Sequence, residues 1–193
     1  MKKFLVLAGL VAALALPSLA ATSTWNLDPM HSNAQFMVRH LGISNVQGEF
    51  TKISGQVVLD DADVTKSTVN VTIDVASVDT RVSRRDDDLK SPNFFDVAKY
   101  PNITFKSTKI TKAGDGKLMV TGDLTIKDVT KEVTLDVAGP SAIDTHMGTR
   151  RGFAASTKIN RQDFHVSADP GMVGDEITIQ IDCEMVLPAP PKP

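Results

Sequence analysis

One cysteine, one tryptophan and one tyrosine occur in 193 residues. A lone thiol, Cys183, excludes an intrachain disulfide, so the fold must be held by packing and hydrogen bonding. No basic block is present. With 21 Lys and Arg against 23 Asp and Glu, the formal charge is -2, and nucleic acid is excluded as a partner because its affinity comes largely from neutralised phosphates. Long apolar runs are also missing. The longest, Phe4 to Leu16, falls short of the roughly 20 residues that cross a bilayer.

That run has a different meaning at the N-terminus. Lys2 and Lys3 precede it, and Ser18-Leu19-Ala20 follows with small residues at the recognition positions, which is the pattern of a secretory signal peptide over residues 1–20 cleaved after Ala20. No cysteine follows the cleavage point to be acylated, so the exported product is expected to be soluble. Residues 21–187 then read as one domain. Pro188 to Pro193, with four prolines, cannot join a sheet ladder and reads as an extended tail.

What the mature chain has in abundance is a period of two. From Thr68 to Val75 the residues Val69, Val71, Ile73 and Val75 alternate with polar ones, and Ile177, Ile179, Ile181, Cys183 and Met185 do the same near the C-terminus. Each is a strand with one dry face. Weaker alternation recurs at Phe36/Val38, Ile103/Phe105, Leu124/Ile126, Val133/Leu135 and Phe153/Ala155. Ala113-Gly114-Asp115-Gly116 and Lys127-Asp128 supply turns between runs. Eight or so short antiparallel strands in one domain predict an all-β barrel or sandwich.

The period fails between Asp79 and Pro101. Ser83-Arg84-Arg85-Asp86 fits a capping box with Ser83 as cap, three aspartates crowd the positive helix end, and Pro92 bars Ser91 from helical angles. A short helix over 84–91 is predicted, with Phe94-Phe95 folding back on the sheet. Excursions of this kind in compact β domains tend to be lids.

Constellations that could carry chemistry are thin. Asp86, Asp87 and Asp88 offer carboxylates, but successive helical residues point about 100° apart, and the spacing lacks the alternation of a calcium loop. His31, His40, His146 and His165 show no metal-site spacing. There is no GxSxG elbow. Asp28 with His31 suggests either acid-base chemistry or a tied loop, and a hydrolase using His31 or His165 is the least supported reading. No metal, cofactor or catalytic residue is therefore expected. An eight-stranded barrel is either filled by its own side chains or hollow enough for one ligand, and the residues alone leave both open.

Several ordered motifs bear on that choice. Trp25-Asn26-Leu27-Asp28-Pro29-Met30-His31-Ser32, then Phe36 to His40, Gly48-Glu49-Phe50, Ser77 to Thr80, Leu89 to Asp96, Lys99-Tyr100-Pro101 and Gly174 to Ile177 resemble the YceI-like family of secreted bacterial proteins. The resemblance spans roughly Trp25 to Leu187. It implies an antiparallel, extended lipocalin-like barrel in the periplasm, an apolar tunnel for a long isoprenoid or other amphiphilic lipid, and no catalytic activity. Three positions depart from the family pattern: Asp88 stands where many relatives carry His, Asp128 where a turn glycine is common, and His165 where glycine is frequent.

Strand parity then nominates the inward residues Phe36, Val38, Val71, Ile73, Phe105, Leu124, Ile126, Leu135, Phe153, Ile179, Ile181 and Met185, with Phe94 and Phe95 at the mouth. Arg39 and Arg81 are the candidates for a phosphate or quinone head, since a guanidinium fork suits anionic oxygens. The expected partner is an isoprenoid or other long-chain lipid, carried or stored, with transient membrane contact and no nucleic acid. The competing expectation is a stress-related interaction protein with a filled barrel and no lipid ligand.

Overall fold

In the computed structural model, residues 22–188 are described; the expected signal peptide over 1–20, Ala21 and the tail beyond Pro188 lie outside them. The period-two segments become eleven strands of one antiparallel sheet. They are β1 (Thr22–Leu27), β2 (Asn33–His40), β3 (Ser44–Phe50), β4 (Ile53–Asp60), β5 (Thr68–Asp74), β6 (Val78–Asp79), β7 (Asn102–Lys112), β8 (Lys117–Ile126), β9 (Val129–Thr145), β10 (Gly148–Asn160) and β11 (Val173–Val186).

Eight of these close a ring in the order β1-β4-β5-β7-β8-β9-β10-β11, with β1 returning to β11 through Asn26 opposite Val186 and Leu27 opposite Met185. Closure removes the free edges that would otherwise invite aggregation. The strands β2, β3 and β6 leave the ring from the same side of β11, which pairs with β1 at its C-terminal end and with β2 from Asp182 back to Val173. β1 and β2 thus act as one long strand broken at Asp28 to Ser32. The wing ends at β6, and the chain from Thr80 to Pro101 returns from it to β7.

That return holds one helix, α1 (Ser83–Lys90), and its start corrects the sequence expectation. Val82 is the cap residue and Ser83 lies inside the first turn, with no side-chain capping bond. Asp86 instead reaches back outside the helix and accepts from the backbone N–H of Thr80 at 2.9 Å and from its hydroxyl. A capping box needs its Ser at extended angles, and here Val82 has them. The stop is as expected: Ser91 is extended before Pro92. The chain then doubles under the helix, with the Phe95 N–H donating to Leu89 C=O at 3.0 Å and the Val97 N–H to Lys90 C=O at 3.0 Å.

Two strands are longer than the alternation suggested. β9 runs to Thr145 and β10 starts at Gly148, whereas β8 stops pairing with β9 at Ala138. The hairpin beyond Ala138 therefore projects past its neighbour. Wet on more of its surface, it has no reason to alternate.

Candidate functional site

The dry faces of the ring enclose a cavity of about 220 Å³. It is lined from β2 by Phe36 and Val38, from β5 by Val71 and Ile73, from β7 by Phe105, and from β8 by Leu124 and Ile126. β9 adds Leu135, β10 adds Phe153, and β11 adds Ile179, Ile181 and Met185. Phe94 and Phe95 also face it from the segment after α1. Cys183 lies on the same wall, and burial pushes its thiol up to about 11, so it stays protonated at neutral pH and serves as an apolar surface rather than a nucleophile.

Glycines shape the bore. Phe36 is registered opposite Gly48, and Phe105 neighbours the Gly122 position across β7 and β8. A methyl group at Gly48 or Gly122 would overlap the ring of Phe36 or Phe105 respectively, so both aromatics lie against the wall because glycine leaves them room. Phe36 then meets Phe50 at a ring-centroid distance of 5.7 Å, and Phe50 meets Phe95 edge-on at 5.7 Å. This aromatic chain joins the barrel wall to the excursion.

At one end of the lumen lies a short 3-10 turn, Arg161–Phe164, whose Arg161 and Phe164 side chains line it. Arg161 is only 4 % exposed. Its Nε donates to Gly174 C=O at 2.9 Å, one Nη to Val166 and Ala168 C=O, and the other to Val173 C=O, while Asp175 stands 3.1 Å away as counter-ion. Four of the fork's five N–H groups donate to backbone carbonyls, and Asp175 balances its charge. The parity of Phe153, Ala155, Thr157 and Ile159 continues to Arg161, a signal that sequence reasoning passed over because the residue is charged.

Arg39 and Arg81, the candidate head-group donors, do not line the lumen. Arg39 is exposed and its fork ties the β2–β3 hairpin, donating to Gly42 C=O at 2.6 Å and Asn45 Oδ1 at 3.0 Å. Arg81 sits in a turn at φ 64° with its N–H on Asp79 Oδ1 at 2.7 Å. Arg85, not Arg81, grips the helix entry, through Thr80 Oγ1 and C=O, both at 2.8 Å. Among the described residues, no lumen-lining side chain has an uncommitted cationic donor.

The three departures from the family pattern become intelligible together. His165 occupies a left-handed position at φ 57°, where glycine is the easy residue. Its Nδ1 lies 3.2 Å from Asp128 Oδ1, and that bond holds the Asp128 carboxyl below its usual range. The two unusual residues are partners across the lumen end. Lys127, itself at φ 54°, donates Nζ to His165 C=O at 2.8 Å. Asp88 accepts from Asn93 Nδ2 at 3.1 Å and so braces the turn at Pro92.

On the outside, Asp28 Oδ2 lies 3.1 Å from His31 Nδ1, and Glu184 Oε2 3.9 Å from it. The bond to Asp28, then the charge of Glu184, raises the His31 pKa; the same bond lowers that of Asp28. This cluster is the tied-loop alternative for Asp28 and His31, fastening the break between β1 and β2. It has three donors within 4.8 Å of one another, but Arg150 faces both Asp28 and His31 and opposes a cation.

A closed antiparallel barrel with an apolar lumen, and with the Arg161–Phe164 turn and the segment after α1 both packed at one end of it, is a binding barrel of the lipocalin-like kind. The YceI-like domain profile matches residues 25–185. A UPF0312 protein of Vibrio parahaemolyticus is 40% identical over 169 residues, 86% of this chain and 89% of that one. The crystal structure of BcnA from Burkholderia cenocepacia superposes with a TM-score of 0.74 at 31% identity, covering 82% of this chain and 98% of that one. The chain belongs to the YceI-like family. A more distant structure shares the fold with a TM-score of 0.65 at 16% identity over 85% of this chain and 98% of its own: a polyisoprenoid binding domain from Saccharophagus degradans implicated in plant cell wall breakdown.

Proposed function

We propose that this chain is a periplasmic binding protein, not an enzyme, that holds the tail of a long-chain isoprenoid or related amphiphilic lipid inside the barrel for carriage or storage. The observation that carries the reading is the lumen: about 220 Å³, walled by Phe, Ile, Leu and Val, with its one buried cation held by backbone carbonyls and Asp175. A bore below the roughly 300–1,000 Å³ of ordinary small-molecule sites favours a slender tail over a fused-ring ligand. With no free cationic donor inside, a charged head belongs at the opening, and affinity comes from water exclusion at about 0.8 kcal/mol per buried CH₂. The distant neighbour's title supports this ligand class by analogy of fold alone. A filled barrel, the competing expectation, predicts no such cavity.

Export to the periplasm rests on the N-terminal pattern Lys2-Lys3, Phe4 to Leu16 and Ser18-Leu19-Ala20. Protein recovered from its native periplasm, extracted with organic solvent and examined by mass spectrometry, should release stoichiometric lipid. Recovery of empty protein whose melting temperature no polyprenol or fatty-acid amide raises would end the proposal.

A further inference from the structure

We propose that the barrel docks onto a lipid bilayer through one apolar tip, formed by Leu41 and Ile43 of the β2–β3 hairpin and Met172 of the segment before β11. These side chains are 51%, 79% and 50% exposed. They are neighbours: the Leu41 N–H donates to Met172 C=O at 2.7 Å. Hairpin turns usually carry Gly, Asn or Asp, yet Leu41 takes a left-handed φ of 52° beside Gly42 and spends it on holding an apolar side chain in water. Among the described residues, none covers more than about half of it.

The occupant follows from size and from continuity. A stable protein partner requires about 1,200 Å² or more of total buried surface, and three side chains on a convex tip supply a small part of that. A bilayer interface asks only that a few apolar side chains enter the headgroup region. The tip also continues the lumen wall. Val38 and Val173 line the cavity, with Leu41 three residues beyond the first and Met172 directly before the second. Arg161, which lines this end, bonds to Ala168, Val173 and Gly174, the segment that carries Met172. Docking therefore sets the end of the lumen that carries Arg161, Phe94 and Phe95 toward the phase that contains the ligand. This inference rests on the lipid-binding reading for its purpose but not for its test.

Flotation with vesicles of phosphatidylethanolamine and a minority of phosphatidylglycerol gives that test, with N-phenylnaphthylamine fluorescence as a separate measure of lumen binding. The mature wild type should float, and Leu41→Asp with Ile43→Asp should lower the bound fraction about tenfold while dye binding and melting temperature stay unchanged. Ile143→Asp with Met147→Asp, exposed apolar residues on the projecting β9–β10 hairpin, should float like wild type. Docking is overturned by a wild type that stays in solution, by tip variants that float undiminished, or by equal loss in the hairpin control. A wild-type dimer that the tip substitutions split without affecting flotation would also overturn it, assigning the tip to a second copy. Flotation through the tip without dye binding would uphold docking and remove the lipid-carrying reading.

Discussion

A buried guanidinium is stable only while each of its donors has a partner, because desolvation of the charge costs several kcal/mol. Arg161 meets that condition with four backbone carbonyls and Asp175. Its removal strands those carbonyls, each worth about 1–3 kcal/mol when left unpaired and dry. Arg161→Met should therefore lower stability in urea by about 3–5 kcal/mol, although methionine nearly matches its volume. A loss below about 1 kcal/mol would mean that water replaces the fork. Lysine, with three donors and no fork, should restore little.

The His31 cluster behaves oppositely, because it is wet. His31 is raised above its ordinary 6.5, first by its bond to Asp28. A raised folded pKa contributes stability that is full below the unfolded value and lost as pH rises through the folded one. Asp28 is lowered from 3.8, so its share is present above that value and lost as pH falls through the folded pKa. The clamp between β1 and β2 is thus tightest from about pH 4 to about pH 6.5. NMR titration should place the His31 midpoint above 6.5, and Asp28→Asn should return it toward that value; an unmoved midpoint in the variant would dissociate the pair.

At the scale of elements, what the sequence disclosed was decided by which surfaces are dry. The strands from Thr68 and to Met185 were legible because each has one face on the lumen and one in water, and the helix stop was legible because Pro92 acts locally. The β9–β10 projection was not, since wet backbone past Ala138 imposes no alternation. The helix start failed for another reason: Ser83 and Asp86 have the right spacing, but Thr80 competes for the carboxylate. Among site residues, parity found the apolar wall and missed Arg161, whose inward phase is visible only if charge is ignored. The local bonds that tie Arg39 and the Arg81 backbone into their turns were not visible, because hydrogen bonds of this kind do not register in a residue's position along the chain.

Phe94 and Phe95 separate cleanly as well. Phe94 is 7 % exposed and belongs to the main hydrophobic cluster, against which the less buried Phe95 packs. Phe94→Ala should cost about 3–5 kcal/mol of stability. Phe95→Ala should cost less, since it loses one edge-on contact with Phe50 worth about 0.5–1.5 kcal/mol and part of its burial, while releasing bound lipid faster. Equal effects of the two variants on urea midpoint and lipid off-rate would make the segment a uniform part of the core with no gating side.

For the whole molecule, the closed ring turns local alternation into a length scale. A tail lying in the lumen meets apolar wall until the bore is filled, and beyond that length no further methylene can be buried. Each CH₂ before that point is worth about 0.8 kcal/mol, or about fourfold in Kd at 1.4 kcal/mol per tenfold. Kd measured by calorimetry across amides of increasing chain length should fall at about that rate, then level off at one length. The melting temperature at fixed ligand excess should follow the same break, because stabilisation grows with the logarithm of ligand over Kd. Changing the head group at constant tail should shift both only modestly, as no free cationic donor among the described residues lines the lumen to read it. Affinity that never levels would require a tunnel open at both ends, and affinity set by head charge would place recognition outside the barrel.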